Sequence, residues 1–416
     1  MINFERITLE NGLRVIVHTD KTTPFVAINV CYNVGSKHED PERTGFAHLF
    51  EHLTFGGSLN VKDFDTPTQQ AGGTNNAFTS NDITNYYITI PASNIETALW
   101  LESDRMLGPK FSKKGLDVQR KVVIEEFRQR SLNRPYGDIW HLLRELCFKV
   151  HPYRWPTIGL SVEHLEKALL EEVKDFFFHH YAPNNAVLVI SGNITSDKAF
   201  KLAEKWFGNI PEREIINPLI NPEPFQTEDR LITVQRDVPI DTFYIGWHMG
   251  ARSDKDFYSA DLLSDILSNG NSSRIEEKLI KGQKLFVEAD VFLSGENEPG
   301  LFIATGKVSD KVDYEFAQKA LVNELLLTTE EKISDYELEK VKNKVEADLL
   351  FNEIGYLEKA MQLASFEILG DAGLINEQAE RYRDISAEDI LSEAKKIFRE
   401  GNRNTLNYKS IKKITQ

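Results

Sequence analysis

The stretch Ala47-His48-Leu49-Phe50-Glu51-His52-Leu53 has the pattern H-x-x-E-H. Residues four apart lie one turn apart on the same side of a helix, so both imidazoles face one way. Two imidazoles so placed can hold a Zn²⁺ ion at about 2.0–2.1 Å. Glu51 precedes His52 and lies one turn beyond His48, so it borders that face and reaches a water beside the ion without being a ligand. Phe46, Leu49, Phe50, Leu53 and Phe55 give the same segment a wide apolar surface. A helix that apolar packs against a core, so the plainer reading of merely solvated histidines fits it poorly. Histidines set into it need partners, and one metal serves both. Thr44 is the expected N-cap and Gly56-Gly57 the expected stop.

An enzymatic zinc site takes three protein ligands and keeps one position open. The best source of the third is Val122-Val123-Ile124-Glu125-Glu126-Phe127, inside a helical pattern from Ser112 to Arg130. Either Glu125 or Glu126 has the right chemistry. H-x-x-E-H followed by a V-V-x-E-E helix resembles the M16 metallopeptidases, the inverzincin family of pitrilysin, insulin-degrading enzyme and the mitochondrial processing peptidase. The resemblance points to the second glutamate, Glu126, as the third ligand, with Glu51 as the catalytic base and one zinc per chain. The family often carries another acid where this chain has Gln119, so that position is given no electrostatic role.

Composition bounds the other readings. At 416 residues the chain suits two domains. A net charge of −15 argues against a nucleic-acid binder, which needs a basic face. The start, Met1-Ile2-Asn3-Phe4-Glu5-Arg6, has neither a basic nor an apolar signal region, and no run reaches the ~20 apolar residues of a membrane span. The expectation is a cytoplasmic protein without membrane contact, or a secreted one already trimmed. Cys31 and Cys147 read as buried free thiols.

Working outward, Asn11-Gly12 between Ile7 and Val17 predicts a hairpin, and Phe25 to Val34 a central strand. Gly72 to Ser80 and Thr84 to Ile90 predict a second hairpin around Asn81-Asp82. Asn76, Ala77 and Phe78 on its first arm resemble the M16 edge strand on which substrate peptide lies. An open edge offers N–H and C=O groups to any extended peptide. Taken without the zinc motif, this is an ordinary hairpin. Ser93 to Glu96 reads as a capping box for a helix to Met106, and Ser161 as the cap of one helix to Tyr181. A helix is expected through Trp140 and Leu146, and His151 in the following loop is read as structural.

Pro211, Pro218, Pro222 and Pro224 mark a linker. Domains are therefore expected at 1–210 and 229–416, joined by 211–228. The second half repeats the first, with Ala260 to Leu267 in the place of Ala47 to Thr54 but with no ligands. Hairpins mixed with helices predict an α+β fold: two similar domains, each a largely antiparallel sheet packed with helices. The resemblance implies a zinc-dependent endopeptidase that cuts peptides or unfolded segments inside a clamshell chamber of four such domains. A non-catalytic scaffold of the same family is the alternative.

Active M16 proteins place an Arg and a Tyr seven residues apart in a C-terminal domain, near the zinc. By position these fall on Ile280 and Val287, and Arg274 belongs to a helix start. The expected partner is thus a second M16-like chain that supplies the pair, with a homodimer possible and this chain as the zinc-bearing subunit.

Overall fold

In the computed structural model, residues 1–295 and 297–411 are described. Eleven strands form two sheets among these residues. The first contains β1 (Glu5–Thr8), β2 (Arg14–Thr19), β3 (Phe25–Tyr32), β4 (Thr74–Thr79), β5 (Thr84–Pro91) and β6 (Ala186–Gly192), in the order β1-β2-β6-β3-β5-β4. The second contains β7 (Arg230–Arg236), β8 (Thr242–His248), β9 (Phe286–Leu293), β10 (Leu301–Val308) and β11 (Arg403–Ser410), in the order β7-β11-β8-β10-β9. Each sheet has one parallel pair, β2 with β6 and β7 with β11, and is otherwise antiparallel. Beyond β1 the two orders are the same, so the repeat seen in the sequence is a repeat of topology. The fold is α+β, as expected.

The centre of the first sheet is buried on both faces, and its strands show it. Along β2, β3 and β6 the side chains alternate between two cores. Val15, Val17, Val26, Ile28, Val30, Leu188 and Ile190 pack with the helices Phe46–Phe55, Ile95–Leu107 and Leu170–His180. Ile16, Ala27, Cys31, Val187 and Val189 pack on the other side. The helix there is Tyr356–Ile368, through Ala360, Leu363, Ala364 and Phe366. Polar ties fix it: Lys359 to Asp20 at 3.0 Å, and Arg14 Nη1 to the Glu367 carbonyl at 3.1 Å.

That helix corrects the contiguous domains expected at 1–210 and 229–416. One compact unit is Met1–Gln129, Trp155–Ile220 and Leu349–Glu377; the other is Arg130–Arg154, Asn221–Asp348 and Gln378–Gln416. The exchange is reciprocal. The helix Ile139–Cys147, from the first half, covers the second sheet through Ile139, Leu143 and Cys147 against Leu301, Ile303 and Leu406. Tyr408 Oη donates to Asp138 at 2.6 Å beside it. A first sheet buried on one face only would leave Ile16, Val187 and Val189 in water, at roughly 1.5–3 kcal/mol each. Pro211 to Asp229 contains no helix or strand, and the chain passes from one unit to the other within it, between Ile220 and Asn221.

Other local expectations were adjusted by packing. Gly45, not Thr44, is the N-cap of Phe46–Phe55, at φ +90°. Thr44 instead accepts from Leu160 N at 2.8 Å. Asn94 is the N-cap of Ile95–Leu107 without a side-chain capping bond, its amide donating instead to the Ala71 carbonyl at 2.9 Å, while Glu96 pairs with Lys205. Ser161 to Tyr181 is two helices, Val162–Glu166 and Leu170–His180, because the chain turns at Lys167–Leu169. His151 is structural: its Nδ1 accepts from Tyr153 N, and the two rings stack edge-on at 4.4 Å. No helix among the described residues is long and apolar enough to cross a membrane.

Both cysteines are free and buried, and burial pushes both thiols up to about 12. At pH 8 that leaves roughly one thiolate in ten thousand. Neither thiol is therefore expected to react with a disulfide reagent in the native protein, and two per chain react after unfolding; rapid native labelling would show that one is exposed.

Candidate metal centre

The helix Phe46–Phe55 sits on the first sheet by Phe46, Ala47, Leu49, Phe50 and Thr54. Phe50 anchors it, packed on a cluster with Tyr181 at 4.5 Å and Phe177 at 5.2 Å. With that face fixed, His48, Glu51 and His52 are left on the half-buried side, and the two imidazoles lie edge to face, 4.8 Å between centroids.

The helix Lys113–Phe127 comes alongside. Ser112 caps it by accepting from Gly115 N, and Leu116, Val123, Ile124 and Phe127 bury its inner face. This presents Glu126 to the histidines: its Oε2 lies 3.2 Å from His52 Nε2 and 3.7 Å from His48 Nε2. Ligand atoms of a tetrahedral site with bonds of about 2.1 Å lie about 3.4 Å apart. The two spacings bracket that value, and one atom from each of the three residues falls within 4.8 Å of the others. Two imidazoles and one carboxylate are also the borderline donor set that zinc favours. Among the described residues no other such group of three occurs. Glu125 points elsewhere, accepting from Gln129 and lying 3.9 Å from Arg128, with its side chain more than half exposed.

Glu51 is oriented by a residue that the sequence did not single out. Thr79 Oγ1, at the end of β4, donates to Glu51 Oε2 at 2.5 Å. β4 is the sheet edge and pairs only with β5, so Asn76, Ala77 and Phe78 lie on an open strand tied to that glutamate. Asn76 and Phe78 face solvent, and the Ala77 N–H donates to Asn76 Oδ1 at 2.8 Å.

Beneath the last turn of the histidine helix lies the buried pair Arg105–Glu102. Arg105 Nη1 donates to the Thr54 carbonyl at 3.2 Å, and its guanidinium lies over Phe64 and Tyr86. A cation suits the negative end of a helix. Thr54 in turn donates to Tyr86 Oη, whose phenol is pushed well up by burial and, secondarily, by the charge of Glu51. Arg105 and Thr79 carry no motif and come from distant segments, so only the fold brings them in.

In the repeat, the helix Asp256–Ser268 places two acids where the histidines stand. Asp261 accepts from Tyr382 Oη at 2.5 Å, and Asp265 from Asn269 at 2.6 Å. Burial raises both carboxyls. They are tied into the second unit's packing, and no metal group forms there among the described residues.

Residues 14–137 match the family model for insulinase, peptidase family M16, and residues 168–345 the model for the M16 inactive domain. The zinc protease PqqE of Helicobacter pylori is 29 % identical over 409 residues, covering 97 % of this chain and 92 % of that protein. The uncharacterized zinc protease YmxG of Bacillus subtilis is 25 % identical over 400 residues, covering 95 % and 96 %. The crystal structure of a protease from Helicobacter pylori superposes with a TM-score of 0.93 at 28 % identity, over 98 % of this chain and 100 % of that one. The periplasmic protease PqqL of Escherichia coli shares the fold (TM-score 0.81, 17 % identity), and this chain spans 48 % of its length. With residues 14–137, where the histidine–glutamate cluster lies, matching the M16 peptidase model, and residues 168–345 matching the M16 inactive-domain model, the chain belongs to the M16 peptidase family.

Proposed function

We propose that the chain is a zinc-dependent endopeptidase acting on extended peptides, with His48, His52 and Glu126 as metal ligands and Glu51 as the base. The observation that carries this is the convergence of the three ligand atoms beside a glutamate that is itself bonded to an open edge strand. Zinc held there would acidify a water and polarise the scissile carbonyl. The chain's own residues do the rest. The edge of β4 would pair with the peptide backbone at Asn76, Ala77 and Phe78, which gives register without demanding one sequence. Glu51 would accept the proton of the attacking water and return it to the leaving amine. Thr79 occupies one Glu51 oxygen and so aims the other.

Metal analysis of purified protein together with cleavage of a mixed peptide library tests the reading. One zinc per chain with cleavage abolished by a chelator is expected. Zinc with no cleavage under any condition would favour the scaffold alternative.

Thr79→Val keeps the shape of the side chain and removes one hydrogen bond to a charged oxygen, about 1.5 kcal/mol. A fall in kcat of roughly tenfold with KM and zinc content unchanged is expected, and Thr79→Ser should restore it. An unaltered kcat would show that Thr79 has no part in aiming Glu51.

The second unit bears on activity alone. Arg274 is locked to Glu337 by two bonds, 2.6 and 2.9 Å, and is half-buried. Ile280 and Val287 stand where the family resemblance puts the Arg and Tyr, with Val287 exposed on β9. We therefore assign the pair to a second, M16-like chain. Loss of one donor to the developing oxyanion costs a factor of about 10²–10³ in rate. Turnover should rise by that order when the co-purifying partner is added; full activity of the homogeneous chain would refute the requirement.

A further inference from the structure

The metal-site helix begins without a cap of its own. Gly45 has no side chain to offer and sits at φ +90°. The first N–H groups are instead taken by a carboxylate from outside the helix: Gly45 N donates to Glu39 Oε2 at 2.9 Å and Ala47 N to Glu39 Oε1 at 2.8 Å. Glu39 is 4 % exposed. Burial pushes its carboxyl up to about 8, opposed chiefly by those two N–H bonds and by Trp155. An acceptor here also suits the positive end of the helix.

The same short turn holds a second element. Ser36 N donates to the Ser80 carbonyl at 3.1 Å and Lys37 N to the Asn81 carbonyl at 2.9 Å. Lys37 pairs with Asp82 at 2.9 Å, both nearly buried. Asn81 Nδ2 donates to Ser36 Oγ at 3.1 Å, and Trp155 Nε1 to the Ser36 carbonyl at 2.9 Å. The approach is so close that a Cβ on Gly35 would lie 2.5 Å from the Asn81 backbone. Ser80, Asn81 and Asp82 form the turn between β4 and β5, directly after Thr79. One five-residue segment therefore grips the edge hairpin at one end and the first turn of the histidine helix at the other.

We propose that the segment Gly35–Glu39 is a clasp that sets the metal helix against the peptide-accepting edge, with Glu39 as the positioning residue for His48 and His52. The inference rests on the metal reading given above. A cap supplied from within the helix would stabilise it without fixing its place. A cap supplied by the turn that also anchors β4–β5 ties the ligand positions to the edge strand. Glu39→Gln keeps the volume but turns an amide N–H toward a backbone N–H, and Glu39→Ala leaves both donors in a buried space.

The test uses the full chain, stripped of metal and titrated with Co²⁺ for its visible spectrum and with Zn²⁺ against a chelator, with the melting temperature of each metal-free protein alongside. Asp313→Ala is the control: Asp313 caps the helix Tyr314–Glu330 by accepting from Phe316 N at 2.8 Å, in the other unit. Glu39→Gln and Glu39→Ala should bind both metals on the order of tenfold or more weakly, the size of an outer-shell change, with an altered cobalt spectrum. Asp313→Ala should bind as the wild type does at a similar loss of melting temperature. Unchanged affinity and spectrum in both Glu39 variants would overturn the clasp and leave the metal reading standing. So would an equal loss in the control, which would mark the effect as general destabilisation. A wild-type chain that binds neither metal would overturn the metal reading and the clasp together.

Discussion

Glu51→Gln is expected to keep a full equivalent of zinc and lose hydrolysis. The substitution preserves shape, and the amide oxygen still accepts from Thr79 Oγ1, which lies 2.5 Å from Glu51 Oε2. None of His48, His52 and Glu126 is touched, so metal content should not move. What disappears is the group that accepts the water's proton. Positioned general bases contribute about 10²–10⁴ in rate, or about 2.7–5.5 kcal/mol of barrier. Steady-state cleavage of a fluorogenic peptide, with metal analysis on the same preparation, measures both quantities. Normal turnover at full zinc occupancy would remove Glu51 from the mechanism.

Glu126→Gln should weaken zinc binding by more than the 10–100-fold typical of an outer-shell change, whereas Glu125→Gln should change it by less than about threefold. The contrast follows from their surroundings. Glu126 directs its carboxylate at both imidazoles, 3.2 and 3.7 Å away. A neutral amide is a poor replacement for an anionic ligand on a dication. Glu125 faces solvent with Gln129 and Arg128 for company, and a single exposed charge at that distance is well screened. Chelator competition on the two variants reads the difference. If Glu125→Gln were the more damaging, the ligand register would be off by one residue.

The histidine helix was legible because its information is local. Spacing puts His48 and His52 on one face, and the phenylalanines beside them say which face is buried. Glu126 was legible only through the family pattern: two adjacent glutamates have the same chemistry, and what separates them is the packing of Val123, Ile124 and Phe127. That the second half repeats the first was legible, and β1, β2, β3, β4 and β5 fell close to where hairpin and apolar patterns put them, whereas β9 and β10 were not read from the sequence. The exchange of the helices Ile139–Cys147 and Tyr356–Ile368 was not anticipated. An amphipathic pattern announces that a face will be covered and is silent about the sheet that covers it. Glu39, Thr79 and Arg105 were missed for the same reason. Each acts on the histidine helix from another segment, and no spacing within the sequence encodes that meeting.

The covering of the first sheet by Tyr356–Ile368 has a consequence for synthesis on the ribosome. All six strands of that sheet, and all the residues of the metal site, have been made once Gly192 is reached. The helix for the second face follows about 170 residues later. At about 5–20 residues per second this is a delay of roughly ten to thirty seconds. Throughout it, Ile16, Ala27, Cys31, Val187 and Val189 have no native cover and form an apolar surface that a chaperone would hold or a neighbouring nascent chain would join. A chain released early therefore owns His48, His52 and Glu126 and still lacks the helix that covers this apolar face.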